Sequence, residues 1–309
     1  MTSLFHSAYQ TTLAGRISCS GQGLHSGKTV RMTLYPAEAD TGIQFVRLDE
    51  AEEKSVIAAR YTQVTNTMLG TTLTNEYGVS VSTIEHLMAA LWGMGVDNVI
   101  VALDAPEVPI MDGSSEPFVF LLECAGVKKL SQRRDTLEVI KNIRVTEGNS
   151  SISLTPFDGF RVDITIDYPG TVIPKQHAVY DFGTQDFKNA LCRARTFGFA
   201  SDVEKLQAKG LALGGSLNNA IVIGETAVIN KEGLRFNDEF VRHKALDLVG
   251  DFFLSGLRMR GAVTAERPGH GINNKVLHAL FADRCAWRLA SSAAVSAPAF
   301  QPAAYRISA

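Results

Sequence analysis

The chain is short of cysteine, of long apolar runs and of net charge, and each shortage removes a class of protein. Its four cysteines, Cys19, Cys124, Cys192 and Cys285, are scattered with no C-x-x-C pair. Neither a disulfide framework nor a zinc ribbon is expected, and the cytoplasm suits such a chain best. No apolar run approaches the ~18 to 20 residues that cross a bilayer, and Met1-Thr-Ser-Leu-Phe-His6 lacks the regions of a secretion signal. Insertion and secretion are therefore not expected. The formal net charge of −2 argues against a nucleic-acid partner held by bulk electrostatics.

What is present is an ordinary globular composition, 45% hydrophobic and 20% charged, in 309 residues. That is enough chain for two domains. The first half begins with strands and turns. Thr29-Val-Arg-Met-Thr-Leu-Tyr35 alternates and is closed by Pro36, which predicts a sheet with one buried face. The glycine-rich turn before it carries His25, read first as a structural turn residue and only second as a ligand. Strand-like residues continue through 57–75.

Ser82-Thr-Ile-Glu85 then opens a helix that runs through Trp92 to Gly93 or Gly95. Glu85 has two readings. S-x-x-E is the capping-box pattern, in which Glu85 reaches back to the Ser82 backbone; alternatively it is a catalytic carboxylate beside His86. A buried strand follows at 96–103, a turn-rich loop at 106–113, and a short helix at 117–126 with Pro near its start and Gly near its end. Residues 128–135 are charged and without periodicity, and are read as the domain boundary.

The second half starts again with strands at 137–145, 151–155 and 160–168. Residues 190–195 predict a helix. The stretch 198–228 combines a short helix at 202–209, a break at Gly214-Gly215 and an apolar strand at 220–223. This β-α-β excursion is either a substrate-binding insert or an ordinary crossover.

Next comes Phe240-Val-Arg-His-Lys-Ala-Leu-Asp-Leu-Val-Gly-Asp251. As a helix it stacks His243, Asp247 and Asp251 at i, i+4 and i+8 on one face, with aliphatics beside them. Such a stripe is either a solvated ion pair or a set of ligands for a cation, most often Zn²⁺. A strand at 261–265 runs into Glu266-Arg-Pro-Gly-His-Gly271, which places His270 on a loop. The closing helix, 273–281, leaves His278 without an obvious partner. Residues 291–309, rich in Ala, Ser and Pro, predict a loosely held tail.

The two halves echo each other weakly. His86-Leu-Met-Ala-Ala-Leu-Trp-Gly93 and His243-Lys-Ala-Leu-Asp-Leu-Val-Gly250 share a His, a Leu five residues on and a Gly seven on. A duplicated sheet-and-helix unit would bring both helices face to face and both histidines into one cleft. A few nitrogen and oxygen ligands with one position open is the pattern of a catalytic zinc, whereas structural zinc is usually closed by four ligands. The reaction class this suggests is metal-activated water attacking a carbonyl.

At these residues the sequence resembles the UDP-3-O-acyl-N-acetylglucosamine deacetylase family, zinc amidohydrolases that remove an acetyl group from an acylated sugar nucleotide in lipid A synthesis. The stretches that carry the resemblance include Gly23-Leu-His-Ser-Gly27, Ser82-Thr-Ile-Glu-His86, Pro109-Ile-Met-Asp-Gly-Ser114, Ala194-Arg-Thr-Phe-Gly198, Leu234-Arg-Phe-Asn-Asp-Glu-Phe-Val-Arg-His-Lys244 and Gly269-His-Gly-Ile-Asn-Asn-Lys275. Together they cover nearly the whole chain.

The resemblance implies that His86, His243 and Asp247 bind Zn²⁺, with Fe²⁺ an acceptable occupant. It implies that Glu85 is the general base and that Thr196 helps stabilise the oxyanion. His270, oriented by Asp251, would protonate the leaving amine, and Lys244 would add positive charge. The insert at 198–228 would hold the acyl chain, with Val203, Leu217 and Val222 as lining candidates beside Phe197. Asp167, Tyr168 and Arg267 would hold the nucleotide.

Two departures from the family pattern stand out: Ser150 and Ser151 where relatives have a basic residue, and Gly70 in place of a cysteine. The partner expected is the acylated UDP-sugar, and a monomer is expected. The fold expected is α+β: two similar domains, each a β-sheet packed on helices, with the helices sandwiched between the two sheets. The N-terminal domain is 1–130, the C-terminal domain is 136–290 with its insert, and 291–309 is the flexible tail. A competing reading is a non-catalytic sugar-nucleotide binding protein of the same fold. Another is a metal-independent acyl transferase that uses the His270–Asp251 pair.

Overall fold

Alternating burial along Thr29–Pro36 turns Val30, Met32 and Leu34 into the main core, while Val46, Ile100 and Ala102 form a small apolar cluster on the opposite face, so the expected single buried face gives way to two at the first sheet's centre. In the computed structural model, which describes residues 7–183 and 186–290, that strand lies second in a five-stranded sheet. The order is Ile17–Gln22, Thr29–Pro36, Val99–Leu103, Ile43–Arg47 and Val56–Ala58. Val99–Leu103, buried throughout, runs parallel to Ile43–Arg47 and antiparallel to Thr29–Pro36. The second sheet has seven strands organised around Arg258–Glu266, a long strand that pairs with three others: Ser150–Thr155, Phe160–Ile166 and Thr136–Val139.

Among the described residues six α-helices connect and cover these sheets: α1 (Glu85–Gly93), α2 (Glu116–Ala125), α3 (Phe187–Ala190), α4 (Ala200–Ala208), α5 (Glu239–Phe253) and α6 (His270–Ala282). Helix α1 packs on α2 and α5; α2 packs on Ile17–Gln22 of the first sheet, and α5 and α6 pack on strands of the second. The fold is thus α+β with a helical layer between two sheets. Gly250 makes the α1–α5 crossing possible, because a Cβ there would lie 2.2 Å from the Glu85 carbonyl oxygen. Buried side chains from Leu13 to Ala286 form one continuous core through both halves.

Several expected elements take a different form. The 128–135 stretch is not featureless: Val127–Arg133 is a strand, antiparallel to Tyr9–Leu13. Its own side chains are mostly exposed, so it shows no alternation, whereas its partner Tyr9–Leu13 buries Thr11, Thr12 and Leu13 and offers the Tyr9 ring to Lys129 and Arg133. The helix expected at 190–195 ends at Ala190, because the Arg195 backbone N–H and guanidinium are both drawn to Glu239. His270 is not on a loop but is the first residue of α6, with Gly269 extended before it. His278 has a partner, packing edge-on against the Tyr61 ring at 4.8 Å. Phe197–Phe199 and Ile221–Ile223 pair in parallel around α4, so the insert is a β-α-β unit. The tail at 291–309 lies outside the described residues.

Candidate metal centre

Helices α1 and α5 each contribute a histidine to one spot. The His86 and His243 rings lie 4.9 Å apart and 79° from parallel. His86 Nε2 is 3.6 Å, and His243 Nε2 3.3 Å, from the same oxygen, Asp247 Oδ1. One ligand atom from each of the three falls within 4.8 Å of the others, and all three side chains are buried. Asp247 Oδ1 is buried with no hydrogen-bond partner. A buried carboxylate oxygen without a donor costs free energy unless something positive sits beside it. Two nitrogens and an oxygen are a donor set suited to a borderline divalent ion, so the residues present fit a metal.

The surroundings fix the protonation of each group. His243 Nδ1 donates to the Ala194 carbonyl at 3.0 Å, which turns Nε2 toward the cluster. Burial pushes its pKa down to about 3, against the pull of Asp247, and leaves a neutral imidazole with a free lone pair. Burial alone would raise the Asp247 carboxyl, but His243, Lys244 and His86 hold it well below the usual range. Lys244 Nζ donates to Asp247 Oδ2 at 2.6 Å and lies 5.7 Å from the Phe197 ring centre.

A second group sits beside the first. His270 Nδ1 donates to Asp251 Oδ2 at 2.8 Å, and its Nε2 stands 3.9 Å from Glu85 Oε1. Burial would lower the His270 pKa, yet the Asp251 carboxylate outweighs it and raises it to about 9. The imidazolium is therefore the form present at neutral pH. Glu85 does not close a capping box: α1 begins at Glu85 itself, and Ser82 N–H donates to the Pro106 carbonyl. Instead Glu85 Oε2 accepts from the Thr71 backbone N–H at 3.0 Å. A Cβ at Gly70 would approach Glu85 Oε1 to 2.9 Å, so a glycine there leaves that oxygen room.

The structure groups some expected residues and separates others. Phe197 lies 6.2 Å from the His243 ring and 5.7 Å from Tyr168, so these join Lys244 at the edge of the metal cluster. Thr196 is tied on both sides, its N–H to the Gly113 carbonyl and its carbonyl to Ile221 N–H. Asp167 is paired with Arg267, and the Arg267 carbonyl accepts from Ser150 Oγ at 2.8 Å. Val203, Leu217 and Val222 lie on the insert: Val203 on α4, Leu217 exposed on a loop, Val222 on the strand Ile221–Ile223. His25 stays a turn residue, its N–H bonded to Glu107.

Three supporting residues escaped the sequence reading. Thr71 donates its hydroxyl to Asp251 Oδ1 at 2.6 Å, and Asn273 donates to Asp251 Oδ2 at 2.8 Å. Glu239, fully buried, binds Arg195 and so holds the Ala194 carbonyl where His243 needs it. Asn273 lies inside a stretch quoted above for other reasons, whereas nothing in the local sequence marks Thr71.

Comparison with known proteins adds to this geometry. The family model for LpxC, UDP-3-O-acyl N-acetylglycosamine deacetylase, matches residues 10–282. The chain is 47% identical over 280 residues to the UDP-3-O-acyl-N-acetylglucosamine deacetylase of Pasteurella multocida (strain Pm70), covering 90% of this chain and 92% of that protein. It is 48% identical over 284 residues to that of Actinobacillus succinogenes (strain ATCC 55618 / DSM 22257 / CCUG 43843 / 130Z), covering 91% and 93%. The corresponding protein of Shewanella oneidensis is 46% identical over 285 residues, covering 92% and 93%.

Proposed function

This chain belongs to the UDP-3-O-acyl N-acetylglycosamine deacetylase family, and from that premise we propose how its residues carry out the reaction. It is a deacetylase of lipid A synthesis, a hydrolase of a linear amide. The substrate is UDP-3-O-(3-hydroxyacyl)-N-acetylglucosamine, which loses its N-acetyl group as acetate. His86, His243 and Asp247 hold the metal, Zn²⁺ in our reading, with Fe²⁺ able to use the same donors. The observation that supports this most is the buried, unpartnered Asp247 Oδ1 facing two imidazole nitrogens. When bound, such an ion acidifies water and polarises the amide carbonyl.

The chain's own groups do the rest. Glu85 Oε1, beside a ligand and free of the Thr71 bond, takes a proton from the attacking water. His270, protonated and held by Asp251, faces Glu85 through Nε2 and delivers a proton to the departing nitrogen. Its charge, with Lys244 and Thr196, stabilises the developing oxyanion. Nitrogen leaves as the amine and the acetyl carbon as acetate, so one water is consumed.

The insert takes the acyl chain. Phe197, Val203, Leu217 and Val222 offer apolar surface, and each buried methylene of the chain contributes about 0.8 kcal/mol. Asp167, Tyr168 and Arg267 are assigned to the nucleotide. The division into units 1–130 and 136–290 belongs to the same reading, since each half has its own sheet. So do a monomeric state and the cytoplasm, a compartment that leaves cysteines reduced; all four are free here.

Metal analysis with acetate release from the acylated UDP-sugar, before and after chelation, tests this. A deacetylase as proposed loses its turnover with its metal and recovers it on adding Zn²⁺. An enzyme working through the His270–Asp251 pair alone would keep its rate, and a pure binding protein would show none at any stage.

A further inference from the structure

Glu85 on α1 and Asp251 on α5 meet at a residue that neither helix contains. Thr71, buried just before the strand Thr72–Thr74, donates its backbone N–H to Glu85 Oε2 at 3.0 Å and its hydroxyl to Asp251 Oδ1 at 2.6 Å. Its carbonyl accepts from the N–H of Ile84, the residue that precedes α1, at 3.5 Å. We infer that Thr71 is a positioning residue for the acid–base chemistry, fixing the base Glu85 and the His270-orienting Asp251 relative to one another.

The physical argument lies in how each carboxylate is held. Asp251 Oδ2 already accepts from His270 Nδ1 and Asn273 Nδ2, both at 2.8 Å. A turn about Cβ–Cγ would strain those two bonds, but neither of them holds the other oxygen, Oδ1. The Thr71 hydroxyl on Oδ1 anchors the second oxygen and so stiffens the carboxylate against that turn, and a short O–H donor to a carboxylate is among the stronger hydrogen bonds. On the other side, the Thr71 N–H engages Oε2 of Glu85 and leaves Oε1 to face His270 Nε2 at 3.9 Å. The nitrogen and hydroxyl of one threonine are joined by a covalent frame with restricted χ1. The spacing of the two carboxylates is thereby set by one residue rather than by two helices that must be separately placed.

The inference rests on the roles proposed for Glu85 and His270, and the test separates the two. Thr71→Val removes the hydroxyl while keeping size and branching; Thr71→Ser keeps the hydroxyl. In the zinc-loaded full chain, Thr71→Val lowers kcat by about tenfold or more with KM changed less than about twofold, the scale of one lost charge-assisted bond. Metal content stays at the parent level, and Thr71→Ser regains at least about a third of the parent kcat. The His270 imidazole N–H proton resonance, identified by its loss in His270→Gln, moves or broadens in Thr71→Val and not in Thr71→Ser.

The assignment is overturned if Thr71→Val keeps kcat within about twofold, or if Thr71→Ser is as impaired as Thr71→Val, which would point to methyl packing. Should Thr71→Val not fold, Thr71→Ala takes its place under the same thresholds. Glu85→Gln and His270→Gln are measured alongside. If these leave kcat intact, the catalytic reading itself fails; if they collapse kcat while the Thr71 variants do not, only the role of Thr71 falls.

Discussion

In α5, thirteen of fifteen residues are buried, among them His243, Asp247 and Asp251; in α4, on the insert, none is. Under the function proposed above, the two helices serve one reaction under opposite constraints. Groups that exchange protons need fixed distances and a low dielectric, which only a packed core supplies. An acyl-binding element needs apolar surface that opens to its ligand, and the insert shows Leu213 51% and Leu217 43% exposed. Side chains in the core are therefore expected to be intolerant of change for reasons of chemistry, and those of the insert to bear on affinity.

Substitution tests that contrast, and the largest effect belongs to the core. Asp247→Ala is expected to weaken metal binding by more than about 100-fold, beyond what the loss of a supporting residue costs, read by metal analysis after dialysis. Full occupancy in that variant would remove Asp247 from the ligand set. Glu85→Ala should keep near-stoichiometric metal while kcat falls by on the order of 10² or more. A nearly unchanged kcat would leave Glu85 with no part in the proton transfer.

A smaller effect follows from the His270–Asp251 pair. With a His270 pKa of about 9, the acid is present through neutral pH, and kcat/KM should decline only as pH rises through that value. The pair's contribution to folding has the same sign: complete below the ordinary histidine value, lost as pH passes the raised one. Asp251→Asn removes the raising charge, so the alkaline limb should move toward neutral pH and the rate at pH 8 fall about tenfold. An unmoved limb would mean that another group sets it.

The smallest effect should come from the insert. Leu217→Ala, at a half-open site, is expected to raise KM for the acylated substrate about fivefold, or roughly 1 kcal/mol, with kcat preserved. A variant of Leu217 that lowered kcat instead would abolish the division of labour between the two regions.

Much of the centre was legible because helical spacing is a local property. His243, Asp247 and Asp251 at four-residue steps had to share a face once α5 formed. The matched stretches then supplied His86, Glu85 and His270. Local rules failed where a side chain or backbone group had a distant partner. Ser82 and Glu85 match a capping box, yet Glu85 is taken by Thr71 and the Ser82 N–H by Pro106. Residues 190–195 have helical composition, but Glu239, 44 positions on, draws Arg195 out of any helix. His270 reads as a loop residue because glycines flank it, although extended Gly269 simply precedes the first turn of α6.

By itself the sequence determined the alternating strands, the amphipathic stripe of α5 and the identity of the groups able to bind a cation, since all of these follow from period and side-chain chemistry. Only the tertiary structure decided that two helices 157 positions apart in His86 and His243 cross closely at Gly250 and share one carboxylate oxygen. It alone decided that Thr71 lies between Glu85 and Asp251. Such pairings are set by the packing of a whole core, which no window of neighbouring residues contains.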